Sequence, residues 1–247
     1  MRKYFNIKLE FNHNKLEEVV ILAAKTGKGY CCFVDLTSLV YSYNNDDFKN
    51  VLNNALVNSC DGSYIAISAS KIHRKKLKQY IGPEFFEKFI FKKGTHIILG
   101  STPKVYEKIM QRIKLEGGEA DNISYLGLPF KSVDEFDYKS ISETINDRKA
   151  NYIWVSLGAP KQEYFMSKLL PYINKGVLLG VGAAFNYFSG EIKDIPNWTK
   201  KLHVVWLYRL FTEPKKQMKR LKSILIIFPK MIKEERWRAN NTNVLKK

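Results

Sequence analysis

Short apolar runs that stop at a glycine and give way to polar residues recur along this chain. Residues 94–100 (GTHIILG), 152–157 (YIWVSL, closed by Gly158) and 177–181 (VLLGV, containing Gly180) are the clearest, and each reads as a buried strand. Helix signals lie between them. Ser101-Thr102-Pro103 opens a helix that runs to about Glu116 and stops at Gly117-Gly118, with Pro103 in the first turn, where a missing N–H costs nothing. Residues 140–148 and 162–170 are also helical in pattern, and 124–129 (SYLGLP) reads as a further strand. Strands alternating with helices imply an α/β fold, a Rossmann-like parallel sheet flanked by helices. In such sheets ligands bind outside the carboxyl ends of the strands.

Upstream the pattern is weaker. Residues 15–26 form a helix closed by Gly27 and Gly29, and 30–36 (YCCFVDL) a strand. Phe48, Val51, Leu52 and Ala55 are spaced as on one helix face, and Asp61-Gly62 makes a turn before the apolar residues 64–67.

With 45% hydrophobic and 26% charged residues, the 247-residue chain can bury an ordinary core. Its net charge of +17 calls for an anionic partner: nucleic acid, a phosphorylated metabolite or an anionic membrane surface. Beyond Gly190, Lys and Arg outnumber acids roughly three to one. Met218, Leu221, Leu225, Phe228 and Ile232 fall at helical spacing among them. This division implies a core over residues 1–190 and a basic amphipathic appendage over 191–247, its helix interrupted at Pro229. No apolar run approaches the roughly 20 residues of a membrane span, and the first residues lack a secretory h-region. Cys31, Cys32 and Cys60 suit a reducing compartment.

The chemistry-bearing residues cluster at two strand ends. In Gly158-Ala159-Pro160-Lys161-Gln162-Glu163, glycine allows close backbone approach, Pro160 stiffens the turn, Lys161 offers a cation and Gln162 both donates and accepts. That set suits a sugar hydroxyl beside a phosphate; it also reads as a plain strand–turn–helix link. Residues 180–184 (GVGAA) lack the third glycine of a dinucleotide fingerprint, and residues 26–29 (TGKG) lack the upstream glycine of a Walker A loop. His73 and His203 have no partners at metal-ligand spacing. Asp46-Asp47 and the acids at 134–137 read as helix-start charges, so no metal and no cofactor are expected.

Taken together, SLGAPKQE (156–163), GVGAAFNYFSG (180–190), PNW (196–198), WLYR (206–209) and EP (213–214) stand in the order and spacing of the WecG/TagA/CpsF glycosyltransferases, and the chain resembles that family. The resemblance extends more faintly back to Asp61-Gly62. It implies an inverting, metal-independent bacterial enzyme moving a sugar from a UDP-sugar donor to a lipid-linked sugar diphosphate acceptor. It further implies work at the cytoplasmic face of the membrane in surface polysaccharide synthesis. By the same resemblance Asp61 is the base and Gln162 holds the donor sugar or acceptor. Thr37, Phe185 and Asn186 line the donor and acceptor sites, with Gly158, Pro160, Lys161 and Glu163. Backbone N–H groups at Gly100, Ser101, Gly182 and Ala183 face the diphosphate, and Arg209 meets the lipid diphosphate. The family's Thr-Pro-Asn reads Val34-Asp35-Leu36 here, and its Arg before a glycine reads Gln79.

Two other readings stand beside this one. The high pI and the tyrosines suit a nucleic-acid-binding protein, but no RNP, KH or helix-turn-helix pattern is present, so no nucleic acid partner is expected. The altered N-terminal half suits an inactive scaffold on the membrane. An oligomer is compatible with the sequence, since an interface and a core face look alike in it.

Overall fold

Five strands carry side chains that are buried on both faces, the pattern of a parallel sheet covered by helices on both sides. The computed structural model describes residues 2–192 and 214–244. Within them β1 (Lys3–Tyr4) and β2 (Ile7–Lys8) form a small antiparallel hairpin. The main sheet contains β3 (Lys28–Val34), β4 (Val57–Cys60), β5 (His96–Gly100), β6 (Ile123–Leu126), β7 (Tyr152–Ser156) and β8 (Gly176–Gly180). Its order is β4-β3-β8-β7-β5-β6, every pair parallel. The α/β, Rossmann-like expectation is met.

Period-two alternation along the strands sends side chains to two cores. Tyr30, Cys32, Val34, Ile97, Leu99, Ile153, Val155 and Leu178 meet one face. There they pack with α2 (Leu36–Tyr43), α3 (Asp46–Asn54), α4 (Ser63–His73), α7 (Tyr138–Asp147) and α8 (Lys161–Leu169). Cys31, Phe33, Ile98, Tyr152, Trp154, Val177 and Leu179 meet the other. Their partners are α1 (His13–Thr26), α5 (Gly82–Phe89), α6 (Pro103–Leu115) and α9 (Ala184–Phe188). Trp154 anchors this second face, fully buried with Phe86 edge-on at 4.9 Å, and its Nε1–H donates to His96 Nδ1 at 3.1 Å.

Local chemistry sets the boundaries. Asn12 Oδ1 accepts from Lys15 N–H and starts α1 two residues earlier than the pattern suggests. Asp35 Oδ1 accepts from Ser38 N–H, which ends the expected strand at Val34 and opens α2. Residues 64–67 belong to α4, and the strand lies before the Asp61-Gly62 turn.

Residues 214–244 form α10 (Pro214–Val244). The expected break at Pro229 does not occur: Pro229 sits inside the helix. Its missing N–H falls on the exposed side, where water can serve the freed carbonyl of Leu225, while Phe228 and Met231 on either side are buried in the first core. Of the expected stripe, Phe228 is buried and Ile232 half-buried; Met218 and Leu225 are exposed.

A buried polar clasp holds α10. Glu235 Oε2 accepts from Phe5 N–H at 2.9 Å and from Arg238 at 3.1 Å, and its Oε1 accepts from His73 Nε2 at 2.8 Å. Arg2 can only donate, so its 2.9 Å bond makes His73 Nδ1 the acceptor. Removing the carboxylate strands the Phe5 N–H and the His73 Nε2–H and leaves Arg238 with its bond to Glu234 Oε2 at 3.0 Å. Glu235→Leu is therefore expected to lower unfolding free energy by about 3 kcal/mol in urea denaturation; a change below about 0.5 kcal/mol, the scatter of ordinary surface substitutions, would contradict the clasp.

Candidate active site

The carboxyl ends of β4, β3, β8, β7 and β5 lie side by side, and nearly every sequence-predicted site residue falls on this edge. Asp61 follows β4 directly. Its N–H donates to Val34 O at 3.0 Å, so the turn is fastened to the end of β3 beside the start of α2, where Thr37 is half-buried. The glycine after it is a packing requirement. A Cβ at Gly62 would lie 2.9 Å from Ile65 Cδ1 and 3.3 Å from Leu36 N. The Asp-Gly step thus brings α4 against α2 and leaves the Asp61 side chain half-exposed at the edge.

At the ends of β7 and β8 two turns face each other. Gly158 adopts φ 75°, the Ala159–Pro160 peptide is cis, and Gln162 N–H donates to Gly158 O at 2.9 Å to begin α8. Gly182 adopts φ 56°, and Ser156 Oγ–H donates to its carbonyl at 2.7 Å, tying the two turns together. Ala183 is exposed and Asn186 half-buried. Phe185 points away from the edge into the second core, against Phe86 at 5.1 Å, so only its backbone faces the turn region. The Lys161 ammonium lies 5.2 Å from the ring of Phe130 and 5.3 Å from that of Phe136. Phe130 is fully exposed, an aromatic face at the rim that sequence patterning did not single out.

Gln162 and Glu163 occupy the floor between these turns, 3% and 1% exposed. Gln162 Nε2 donates to Gly180 O at 2.9 Å and to Glu163 Oε1 at 3.0 Å. Gln162 Oε1 and Glu163 Oε2 have no hydrogen-bond partner among the described residues. Burial pushes the Glu163 carboxyl up to about 7; the hydrogen bonds from Gln162 and from its own backbone N–H oppose this, and Asp35 adds to it. Asp35, at the end of β3, appeared in sequence only as a departure from the family pattern. Its strand-end position and the Ser three residues on were the available signal.

Gly100 and Ser101 end β5 with φ of 81° and 65°, and a Cβ on Gly100 would meet Ser156 O at 2.9 Å. β5 is four strands from β4, roughly 19 Å at the usual strand spacing. Ser101 therefore stands farther from Asp61 than the β7 turn does, whose span of about 14 Å from β4 is within reach of an extended nucleotide-sugar. Arg209 lies outside the described residues. Burial pushes the Cys31 and Cys60 thiols up to about 12 and Cys32 well above its ordinary range, so none is a ready nucleophile. Among the described residues no group of three or more His, Cys, Asp or Glu could hold a metal ion. No helix among them is long and apolar enough to cross a membrane.

Comparison with known proteins gives this edge a context. The model of the "Glycosyl transferase WecG/TagA/CpsF family" matches residues 4–241. Among similar curated proteins are two named N-acetylglucosaminyldiphosphoundecaprenol N-acetyl-beta-D-mannosaminyltransferase. The one from Bacillus spizizenii (strain ATCC 23059 / NRRL B-14472 / W23) is 26% identical over 196 residues, covering 78% of this chain and 74% of the relative. The one from Bacillus subtilis (strain 168) is 26% identical over 194 residues, covering 77% and 73%.

The buried carboxyl predicts a pH dependence of stability. In the unfolded chain Glu163 ionises near its ordinary 4.5, while in the folded protein it keeps its proton to about 7. Between those values the folded state binds more protons, so stability falls as pH rises, and the cost is fully present above about 7. Glu163→Gln is expected to remove this decline, making the variant more stable than wild type above pH 7 by up to about 3 kcal/mol in urea titrations. Parallel pH profiles for the two proteins would contradict it.

Proposed function

The chain belongs to the Glycosyl transferase WecG/TagA/CpsF family, and from that membership we propose that it moves a sugar from a UDP-sugar donor to a lipid-linked sugar diphosphate, with inversion at the anomeric carbon. The relatives' names carry the acceptor class: both act on an N-acetylglucosaminyldiphosphoundecaprenol. The observation that carries the reading is the half-exposed Asp61, fastened beside α2 at one end of a ligand-sized row of strand ends whose other end holds Gly158 and Lys161.

In this proposal the Asp61 carboxylate takes the proton of the acceptor hydroxyl as that oxygen attacks the anomeric carbon. The new C–O bond forms on the face opposite the leaving group. The bond to the UDP oxygen breaks, and its electron pair leaves with the diphosphate. Gln162 holds the donor sugar, and backbone N–H groups of the Gly182-Ala183 turn face the diphosphate, with Lys161 as the nearby cation. Thr37 stands beside the acceptor, and Asn186 lies at the rim of the donor side. Asp61→Asn keeps the shape and removes the base. It is expected to lower UDP release, in the presence of a UDP-sugar and a lipid-linked acceptor, by at least about 100-fold; undiminished turnover would reject Asp61 as the base.

The basic helix supports a peripheral position on an anionic membrane. Lys222, Lys230, Lys233 and Arg236 are exposed on α10 together with Leu225, Ile226 and Trp237. Each basic residue near an anionic surface contributes about 1 kcal/mol. Replacing Lys222, Lys230 and Lys233 by Gln is therefore expected to weaken co-sedimentation with phosphatidylglycerol vesicles by about 100-fold at moderate salt. Binding unchanged by the triple substitution would reject the membrane role of this helix.

A further inference from the structure

We infer that Glu163 is a positioning residue: its buried carboxyl holds the Gln162 amide so that the carbonyl oxygen is presented beneath the Gly182 turn to a hydroxyl or amide N–H of the donor sugar. The inference rests on the reading that Gln162 holds the donor.

The geometry fixes which way the amide faces. Gln162 Nε2 has two hydrogens, and both are used, one on Gly180 O at 2.9 Å and one on Glu163 Oε1 at 3.0 Å. Flipping the amide would set its oxygen against the Gly180 carbonyl, which can only accept, so the orientation is determined by chemistry. Gly180 O belongs to the sheet and cannot move; Glu163 supplies the second restraint. Among the described residues Gln162 Oε1 has no partner, in a side chain only 3% exposed. A buried acceptor with no partner costs about 1–3 kcal/mol, and a ligand donor would satisfy it.

The approach to that oxygen runs past Gly182. A Cβ there would lie 3.7 Å from Oε1 and 3.9 Å from Nε2, so any side chain would begin directly over the amide. The turn takes a left-handed φ that glycine accepts without strain, and Ser156 Oγ pins its carbonyl aside.

Glu163 itself has no ordinary structural reason to face inward. An acid in the first turn of a helix is normally solvated beside the helix N-terminus. Here it is 1% exposed, Asp35 at the end of β3 acts on it only by like-charge repulsion, and no cation among the described residues pairs with it. What it gives is an acceptor at one place. An acceptor of the same shape without charge should therefore serve, and an apolar side chain of similar volume should not.

The test compares wild type, Glu163→Leu and Glu163→Gln. Steady-state kinetics with a UDP-sugar turned over by wild type should show the donor KM raised about 10-fold in Glu163→Leu, with the acceptor KM unmoved. Glu163→Gln should bring the donor KM back to within about threefold of wild type. A drop in kcat alone, or equal rises in both KM values, would mark Glu163 as merely structural and overturn the inference. Independently of turnover, side-chain amide NMR of the ligand-free protein should show the Gln162 Nε2 protons exchanging faster in Glu163→Leu than in wild type or Glu163→Gln. Unchanged Gln162 amide signals would overturn it. If wild type turned over no UDP-sugar while the amide signals behaved as described, the donor reading would fail and the positioning of Gln162 by Glu163 would stand.

Discussion

Burial of the central strands on both faces is the constraint from which the rest of the molecule follows. β3, β7 and β8 sit between two helical layers, and their backbone groups are satisfied by parallel neighbours. A polar side chain placed along their length would lose water and gain nothing in return. Chemistry is therefore confined to the strand ends, and the carboxyl ends are where the helices begin and the turns open. Asp61, Asp35, Gly158 and Gly182 occupy that edge because the sheet leaves them no alternative.

One polar pair violates the confinement. Gln162 and Glu163 are the first inward-facing residues of α8, and they reach under the edge into the layer between helix and sheet. Two of their oxygens have no partner among the described residues, and these, with the raised carboxyl, are departures from the rule that buried polar groups are paired. Departures of this kind concentrate at sites that bind or react. The clasp at Glu235 is the contrasting case: buried, but with donors on both oxygens, it serves attachment of α10 to the hairpin and α4.

Much of this architecture was legible in the residues. β5, β7 and β8 announced themselves as apolar runs stopped by glycine, and α6 by Thr102-Pro103, whose hydroxyl does cap the helix. β4 did not. Its sequence, Val57-Asn58-Ser59-Cys60, reads as half polar, yet all four are buried. Asn58 Nδ2 donates to Lys8 O and Leu52 O, and Ser59 Oγ donates to Tyr80 O. Leu52 is six residues away, but Lys8 and Tyr80 lie far along the chain, and no local pattern could reveal them. α2 and α5 were hidden similarly, one by Ser and Thr within its two turns, the other by Gly82-Pro83 at its start and a face of Phe whose helical role depends on Trp154. Pro229 misled in the other direction, because exposure made its missing donor inexpensive. The site was legible as motifs, but which members face a ligand was not. Phe185 belongs to the core, and the burial of Glu163 shows only once Gln162, its hydrogen-bond partner, is seen anchored on Gly180 O at the end of β8.

The proposal that most depends on this geometry is that one UDP-sugar lies along the row of strand ends from Asp61 to Gly158. A crystal structure of Asp61→Asn with an intact UDP-sugar tests it most directly. The expected result has the anomeric carbon facing residue 61 with room for one hydroxyl between, the sugar in contact with Gln162 Oε1, and the diphosphate at the Gly182-Ala183 turn. A donor bound elsewhere, or bound here with its sugar turned away from residue 61, would contradict it.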